Sequence, residues 1–309
     1  MPYSEYRTIE DSDEAFWDGY WANFDKIPHW LQDHPALQQR GIHLGHMVKP
    51  HVLFRTDNPE PERSFVVKLI HSKSNEPNIC RYLHRDPKAA NYILPYEFIE
   101  DDKCFMISPF MHEVFDLVRQ TWPWSKVLQC YDRCLRCLVH LHQRRVAHLD
   151  VAVDNVMFAR KNQVLMGQQM FAGHPYFIDF EYSRQLPLGP GRQPRMELPP
   201  SIMPKPGDAT HMDPYSWDVY CTWGLFLQIN GMTSFDNNRV PPRIVSRYLD
   251  WIKGPDRCSC PAACHCRPSA RRALHVLYLV RLVVHVAELG QKASTYLSQL
   301  WRGRQLLNR

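Results

Sequence analysis

Asp150 and Asn155 stand four intervening residues apart in the segment Val146-Ala147-His148-Leu149-Asp150-Val151-Ala152-Val153-Asp154-Asn155-Val156-Met157-Phe158. A carboxylate and an amide oxygen on one short loop suit phosphoryl transfer. The first orients an attacking hydroxyl and the second helps to hold magnesium. A further carboxylate, Asp179, ends the apolar run in Pro175-Tyr176-Phe177-Ile178-Asp179-Phe180-Glu181-Tyr182, where it is placed to chelate the Mg2+ that bridges nucleotide phosphates. Upstream, Lys68 interrupts the apolar stretch Val66-Val67-Lys68-Leu69-Ile70. A cation there would hold the α- and β-phosphates of ATP and pair with an acid on the following helix, for which Glu76 is the first candidate. Taken singly, these are a polar connection, a solvated strand end and an edge-strand lysine. Their combination points to nucleotide chemistry.

The elements that must position these residues divide by texture. Residues 1–40 carry Trp17, Trp21, Phe24, Trp30 and Leu31 among acids and prolines, and read as an extension anchored by aromatics. Strands are expected at His51–Arg55, Ser64–Ile70, Tyr92–Ile99 and Cys104–Ser108, with a short helix over Ser74–Leu83. After Phe110 the period becomes helical. Ser125–Arg144 shows an apolar face through Leu128, Tyr131, Leu135, Leu138 and His142, and Trp217–Ile229 and Pro268–Leu289 read likewise. Tyr182–Tyr215, rich in Pro and Gly, reads as a long loop, with Ser183, Ser201 and Thr210 as candidate phosphorylation sites. Strands followed by helices make an α+β chain.

The order of these motifs resembles the protein kinase superfamily, in texture the divergent kinase-like proteins common in fungi, over roughly residues 41–289. Two downstream segments carry the resemblance further. Asp213-Pro214-Tyr215-Ser216-Trp217-Asp218-Val219-Tyr220 is similar to the start of the family's buried central helix, whose aspartate, here Asp218, caps the backbone of the catalytic loop. Arg267-Pro268-Ser269-Ala270 followed by Ala273-Leu274 is similar to its closing helix signature. The resemblance implies a two-lobed fold, with a small β-rich N-lobe at 41–112 and a larger, mainly helical C-lobe at 113–289. That C-lobe would hold an activation-type loop at 182–215 and a Cys-rich insertion at 258–266, with a tail at 290–309. It further implies ATP and Mg2+ as cofactors and a protein substrate. Asp150 would be catalytic, Lys68 and Glu76 would form the phosphate-positioning pair, and Asn155 and Asp179 would hold the metal.

Several residues depart from that pattern. No G-x-G-x-x-G is present, and only Gly41 and Gly45 lie in the region where phosphates would be covered. Leu149 stands where the family usually has an arginine that meets a phosphorylated loop. Ala152 and Asp154 stand where a cation would neutralise the γ-phosphate, so Arg144, Arg160 or Lys161 would have to compensate. Glu181 replaces the glycine of Asp-Phe-Gly, and Ile178-Asp179-Phe180-Glu181-Tyr182 is similar to the metal turn of choline-type small-molecule kinases. Two alternatives follow: a catalytically impaired pseudokinase serving as an interaction module, and a small-molecule kinase of the choline or aminoglycoside type.

Composition narrows the rest. A net charge of +5 over 309 residues, with no block of like charge, argues against nucleic acid as a partner. The most apolar stretch, 273–289, is broken by His275, Arg281, His285 and Glu288, which suits an amphipathic core helix and not a membrane span. Met1–Glu14 has no secretory pattern, and ten cysteines without an export signal suit reduced thiols in an intracellular compartment. Cys130, Cys134 and Cys137 recur at helical spacing and are expected to pack. The cluster Cys258-Ser259-Cys260-Pro261-Ala262-Ala263-Cys264-His265-Cys266 lacks two separated zinc knuckles and is read as a surface insertion of thiols.

Overall fold

The computed structural model describes residues 27–49, 51–58, 64–101, 103–118, 121–201, 203–234, 240–257, 260 and 264–307. The anchors expected at Trp17, Trp21 and Phe24, and Cys258 of the cysteine cluster, lie outside them. The chain is mixed α and β and falls into two compact units. One comprises residues up to His112 with Met157–Ser183, and the other Glu113–Val156 with the chain from Arg184 onward.

The first unit is built on a five-stranded antiparallel sheet in the order β1-β2-β3-β5-β4. Its strands are β1 (Leu44–Lys49), β2 (Leu53–Thr56), β3 (Phe65–Leu69), β4 (Glu97–Glu100) and β5 (Cys104–Pro109). Two short helices, α1 (His29–Gln32) and α2 (Pro35–Gln39), send Leu31 and Leu37 into a core with Ile42, Leu44, Phe54, Val67, Phe105 and Ile107. Trp30, an expected anchor, lies under the Lys103 ammonium at 4.1 Å. Side chains alternate across a strand. In β3, Phe65, Val67 and Leu69 therefore serve this core, while Val66 and Lys68 point to the other face. The strand that buries the core thus presents one cation opposite it.

Strand β1 was not expected from sequence. Its alternation is weak because most of its residues are solvated. Gly45 sits within this strand, where an added Cβ would come within 2.1 Å of Asp57 Cβ. Close strand approach accounts for that glycine without any phosphate. Gly41, at φ +63°, turns the chain after α2 in a conformation glycine adopts without strain. The expected strand at Tyr92–Ile99 is shortened to β4, and Ile93 makes only an isolated bridge to Phe177. Helix α3 (Glu76–His84) starts two residues later than expected, with Pro77 in its first turn, where a missing N–H costs nothing.

Residues 157–183 join this unit, whereas the sequence reading counted them with the helical part. The cause is apolar burial. The hairpin of β8 (Gln163–Leu165) and β9 (Gln168–Met170), with β10 (Pro175–Phe177), brings Leu165, Met170 and Tyr176 onto Leu94, Met111 and Ala159.

The second unit is mainly helical. Helix α5 (Trp124–Gln143), preceded by the short α4 (Val114–Leu117), buries Leu128, Cys130, Tyr131, Cys134, Leu135, Cys137 and Leu138. The cysteine stripe therefore packs, as its spacing implies. Helix α6 (Pro214–Met232) is buried on nearly every face through Phe226 and is capped at its start by Asp213, whose carboxylate accepts from Tyr215 and Ser216 N–H. Helix α7 (Arg243–Lys253) was not anticipated, although Val245, Tyr248, Leu249 and Ile252 follow a helical stripe.

Helix α8 runs from Ala270 to Leu307, past the end expected at Leu289. Residues 290–307 hold no proline, and their two glycines, Gly290 and Gly303, do not stop it. Ala273, Leu277, Val280 and Val284 are buried. A bridge of Arg281 to the buried Asp132, 3.0 Å, ties α8 to α5, and Asp132 also holds Arg136 at 3.0 Å. By length and composition, Ala270–Gln299 is long and apolar enough to cross a membrane, and 28% of that window is buried. The expected loop at 182–215 contains short pairs, β11 (Arg184–Gln185) with β6 (Val146–Ala147) and β12 (Met196–Glu197) with β13 (His211–Met212).

Candidate active site

In the first unit three sequence-predicted residues meet. Lys68 Nζ donates to Glu76 Oε2 and to Asp179 Oδ1, each at 2.7 Å. Glu76 is 1% exposed. Its other oxygen accepts the Phe180 N–H at 3.0 Å, so the helix carboxylate fixes both the lysine and the turn that follows Asp179. Pro77, which put Glu76 in doubt as the partner, occupies the helix start and leaves the glutamate carboxylate on the inner face of α3.

Burial by itself would favour the neutral amine of Lys68, but the carboxylates of Glu76 and Asp179 reverse this and raise its pKa above the ordinary lysine value. Burial pushes the Glu76 carboxyl above its usual range and Asp179 adds to the push, while Lys68 and the Phe180 N–H oppose it. The Lys68 ammonium thus offsets the repulsion between the two neighbouring carboxyls. Glu181 Oε2 lies 4.0 Å from the same nitrogen, so the residue in place of glycine contributes a third negative charge to the cluster. Asp179 itself holds φ +61°. A non-glycine residue persists there only when its surroundings determine it, and such positions cluster at functional turns.

The second unit holds the other predicted residues. The loop after β6 leads through His148 and Leu149 to Asp150, and a single 3-10 turn, Val153–Asn155, brings Asn155 back to it. Asn155 Nδ2 donates to Asp150 O at 2.8 Å and to Asp150 Oδ2 at 2.9 Å. With the amide nitrogen committed to Asp150, the amide oxygen is directed away from it as an acceptor. Asp218, fully buried, accepts from His148 N–H at 2.8 Å and Leu149 N–H at 2.7 Å, as the resemblance implies. Its Oδ2 also lies 2.9 Å from His142 Nε2, and Trp217 Nε1 donates to Leu149 O at 2.9 Å. These bonds hold Leu149 at φ +67°, a strained conformation for a branched side chain. Loop geometry is therefore imposed by the buried helix α6, and each bond satisfies a group that would cost about 1–3 kcal/mol if left unpaired.

Ser201, from the long loop, donates its hydroxyl to Asp150 Oδ1 at 3.2 Å. Sequence reading named Ser201 only as a phosphorylation candidate, because nothing in its surroundings signals a partner 51 residues away. Ser183, another such candidate, is fully buried, which withdraws it from solvent, whereas Thr210 is exposed.

The departures are also visible. Ala152 is buried and Asp154 is exposed. Burial raises the Glu113 carboxyl above its ordinary value, and repulsion from Asp154 and Asp116 raises it further. Position 154 therefore belongs to an acidic neighbourhood. Of the cations named as compensators, Arg160 and Lys161 belong to the first unit and Arg144 to the second.

As for cofactors, Asp179 in the first unit offers a carboxylate and Asn155 in the second an amide oxygen, each by itself a hard donor of the kind Mg2+ takes. Comparison with protein-family models and with curated protein sequences found no match for this chain.

Proposed function

We propose that this chain has a two-lobed protein-kinase-like fold and transfers the γ-phosphate of ATP to a Ser or Thr hydroxyl of a protein. The observation that carries the reading is the buried lysine bridged to Glu76 and Asp179 at 2.7 Å each. Such a pair fixes a cation for nucleotide phosphates beside a carboxylate for Mg2+. In the second unit, the loop held by Asp218 supports the same reading. Ser201 bonded to Asp150 adds that an alcohol can donate its proton to this carboxylate.

In this reading Lys68 positions the α- and β-phosphates, while Asp179 and Asn155 offer oxygen ligands to Mg2+. The ion, when bound, offsets charge that builds on the phosphates. Asp150 orients the acceptor hydroxyl and takes its proton. The acceptor oxygen forms a bond to the γ-phosphorus as the bond to the β-γ bridging oxygen breaks, and ADP leaves with that electron pair. Glu76 keeps Lys68 in place and is a positioning residue.

A second reading is favoured by Glu113, Asp116 and Asp154. Asp154 stands where a kinase acting on proteins commonly has a cation, and with Glu113 and Asp116 it would attract a positively charged alcohol, as in a choline- or aminoglycoside-type kinase. One assay separates the readings. With γ-labelled ATP and Mg2+, label is expected in Ser or Thr of protein acceptors and not in choline or an aminoglycoside. Label in the small alcohols alone would replace the proposal with the second reading. Label in neither would leave an interaction module without turnover.

A further inference from the structure

The connection between α7 and α8 carries Cys258, Cys260, Cys264 and Cys266, and among the described residues the last three have a specific arrangement. The Sγ atoms of Cys260, Cys264 and Cys266 all lie within 4.8 Å of one another, and those of Cys260 and Cys266 are 3.3 Å apart. A tetrahedral zinc ion with Zn–S bonds of about 2.3 Å requires sulfur–sulfur separations of roughly 3.8 Å. The observed spread brackets that value, so small side-chain shifts suffice. A disulfide, by contrast, needs about 2.05 Å between sulfurs.

The sequence reading set zinc aside because the cluster lacks two separated knuckles. The structure supplies what spacing does not show: the sulfurs of Cys260, Cys264 and Cys266 converge on one point. The spacing Cys-x3-Cys lies within the usual range for paired zinc ligands.

Hydrogen bonds hold the residues around the sulfurs. His265 N–H donates to Cys260 Sγ at 3.4 Å, so that sulfur acts as an acceptor. Arg195 donates to Cys260 O at 2.5 Å, which brings a guanidinium to the same turn. Cys264, only 8% exposed, donates its N–H to Asp213 Oδ2 at 3.0 Å, and Arg267 grips Lys253 O at 2.5 Å and Pro255 O at 2.6 Å.

The geometry points to a structural zinc site formed by the thiolates of Cys260, Cys264 and Cys266, on the turn that links α7 to α8. Soft sulfur donors select zinc over magnesium. Binding releases the thiol protons, replaces three zinc-bound waters with three Zn–S bonds, leaves one water as the fourth ligand and involves no redox change. Asp213 connects the site to the rest of its unit. One of its oxygens caps α6 and the other holds Cys264, so zinc would brace the start of the helix that carries Asp218.

The test uses the full chain without a polyhistidine tag. After incubation with zinc chloride and gel filtration, elemental analysis is expected to find about one zinc per chain. The Cys260→Ser/Cys266→Ser variant should retain less than about one fifth of that. Wild-type protein without stoichiometric zinc would overturn the site, as would a folded variant that keeps it. To guard against a variant that fails to fold, cobalt(II) is loaded into the wild-type chain after chelation. Intense visible bands of tetrahedral cobalt with sulfur-to-metal charge transfer in the near ultraviolet are expected. Weak bands of octahedral cobalt, without charge transfer, would overturn the assignment.

Discussion

Asp150→Asn is expected to reduce phosphoryl transfer by about 10²–10⁴-fold, the usual contribution of a positioned proton acceptor, while ATP binding persists. The substitution preserves shape and removes charge. Asn155 Nδ2 can still donate to the backbone oxygen of residue 150, and the Asp218 bonds to His148 and Leu149 do not involve the changed side chain. The loop should therefore stay folded, and thermal unfolding should move little. What disappears is an acceptor for the hydroxyl proton, the role that Ser201 Oγ–H now illustrates at 3.2 Å. Steady-state transfer with labelled ATP checks it. A turnover number unchanged in this variant would remove Asp150 from the chemistry.

Lys68→Ala is expected to act on stability as well as on nucleotide binding. It leaves Glu76 and Asp179 as neighbouring carboxylates, with Glu181 close by and no ammonium among them. Removing one partner of a buried ion pair costs about 3–5 kcal/mol, because the remaining charge stays buried. The sign is fixed by the lysine pKa, which is raised in the folded chain and so reports net attraction to the two acids. Adding Glu76→Gln should recover part of the loss by neutralising the most buried carboxyl, whereas nucleotide binding should not return. Denaturant unfolding of the wild type, both single variants and the double variant closes the cycle. A Lys68→Ala chain as stable as the wild type would show that the bridge at 2.7 Å contributes nothing.

The positions of the proposed chemistry were legible in the sequence because their identities are set over short distances. Asp150 and Asn155 share a loop. Lys68 is a charge in an apolar strand, and α+β order follows from period alone. Glu76 was harder. Its side chain is aimed by helix register, which Pro77 obscured until the helix start was seen. Strand β1 was missed because Gly45, His46 and Lys49 break its alternation, and its pairing with β2 is set by backbone contacts that side-chain pattern does not report. Helix α7 had a readable stripe and was passed over. Ser201 and the cysteine turn belong to a different class. Neither has a periodic signal, so spacing in the sequence does not show Ser201 at Asp150 or three sulfurs together. Asp154 and Glu181 were legible as departures, and the acidic setting of Asp154 with Glu113 and Asp116 gives the first of them a physical meaning.

The most direct test of nucleotide use is thermal unfolding of the full chain with ATP, with and without Mg2+, repeated with Asp179→Ala. Binding of ATP at about 100 times its dissociation constant adds about 2.7 kcal/mol of stability, enough for a clear upward shift in Tm. The account predicts a shift in the wild type that requires Mg2+ and that Asp179→Ala abolishes. A wild type that does not respond to ATP with Mg2+, or a shift that survives in Asp179→Ala, would contradict it.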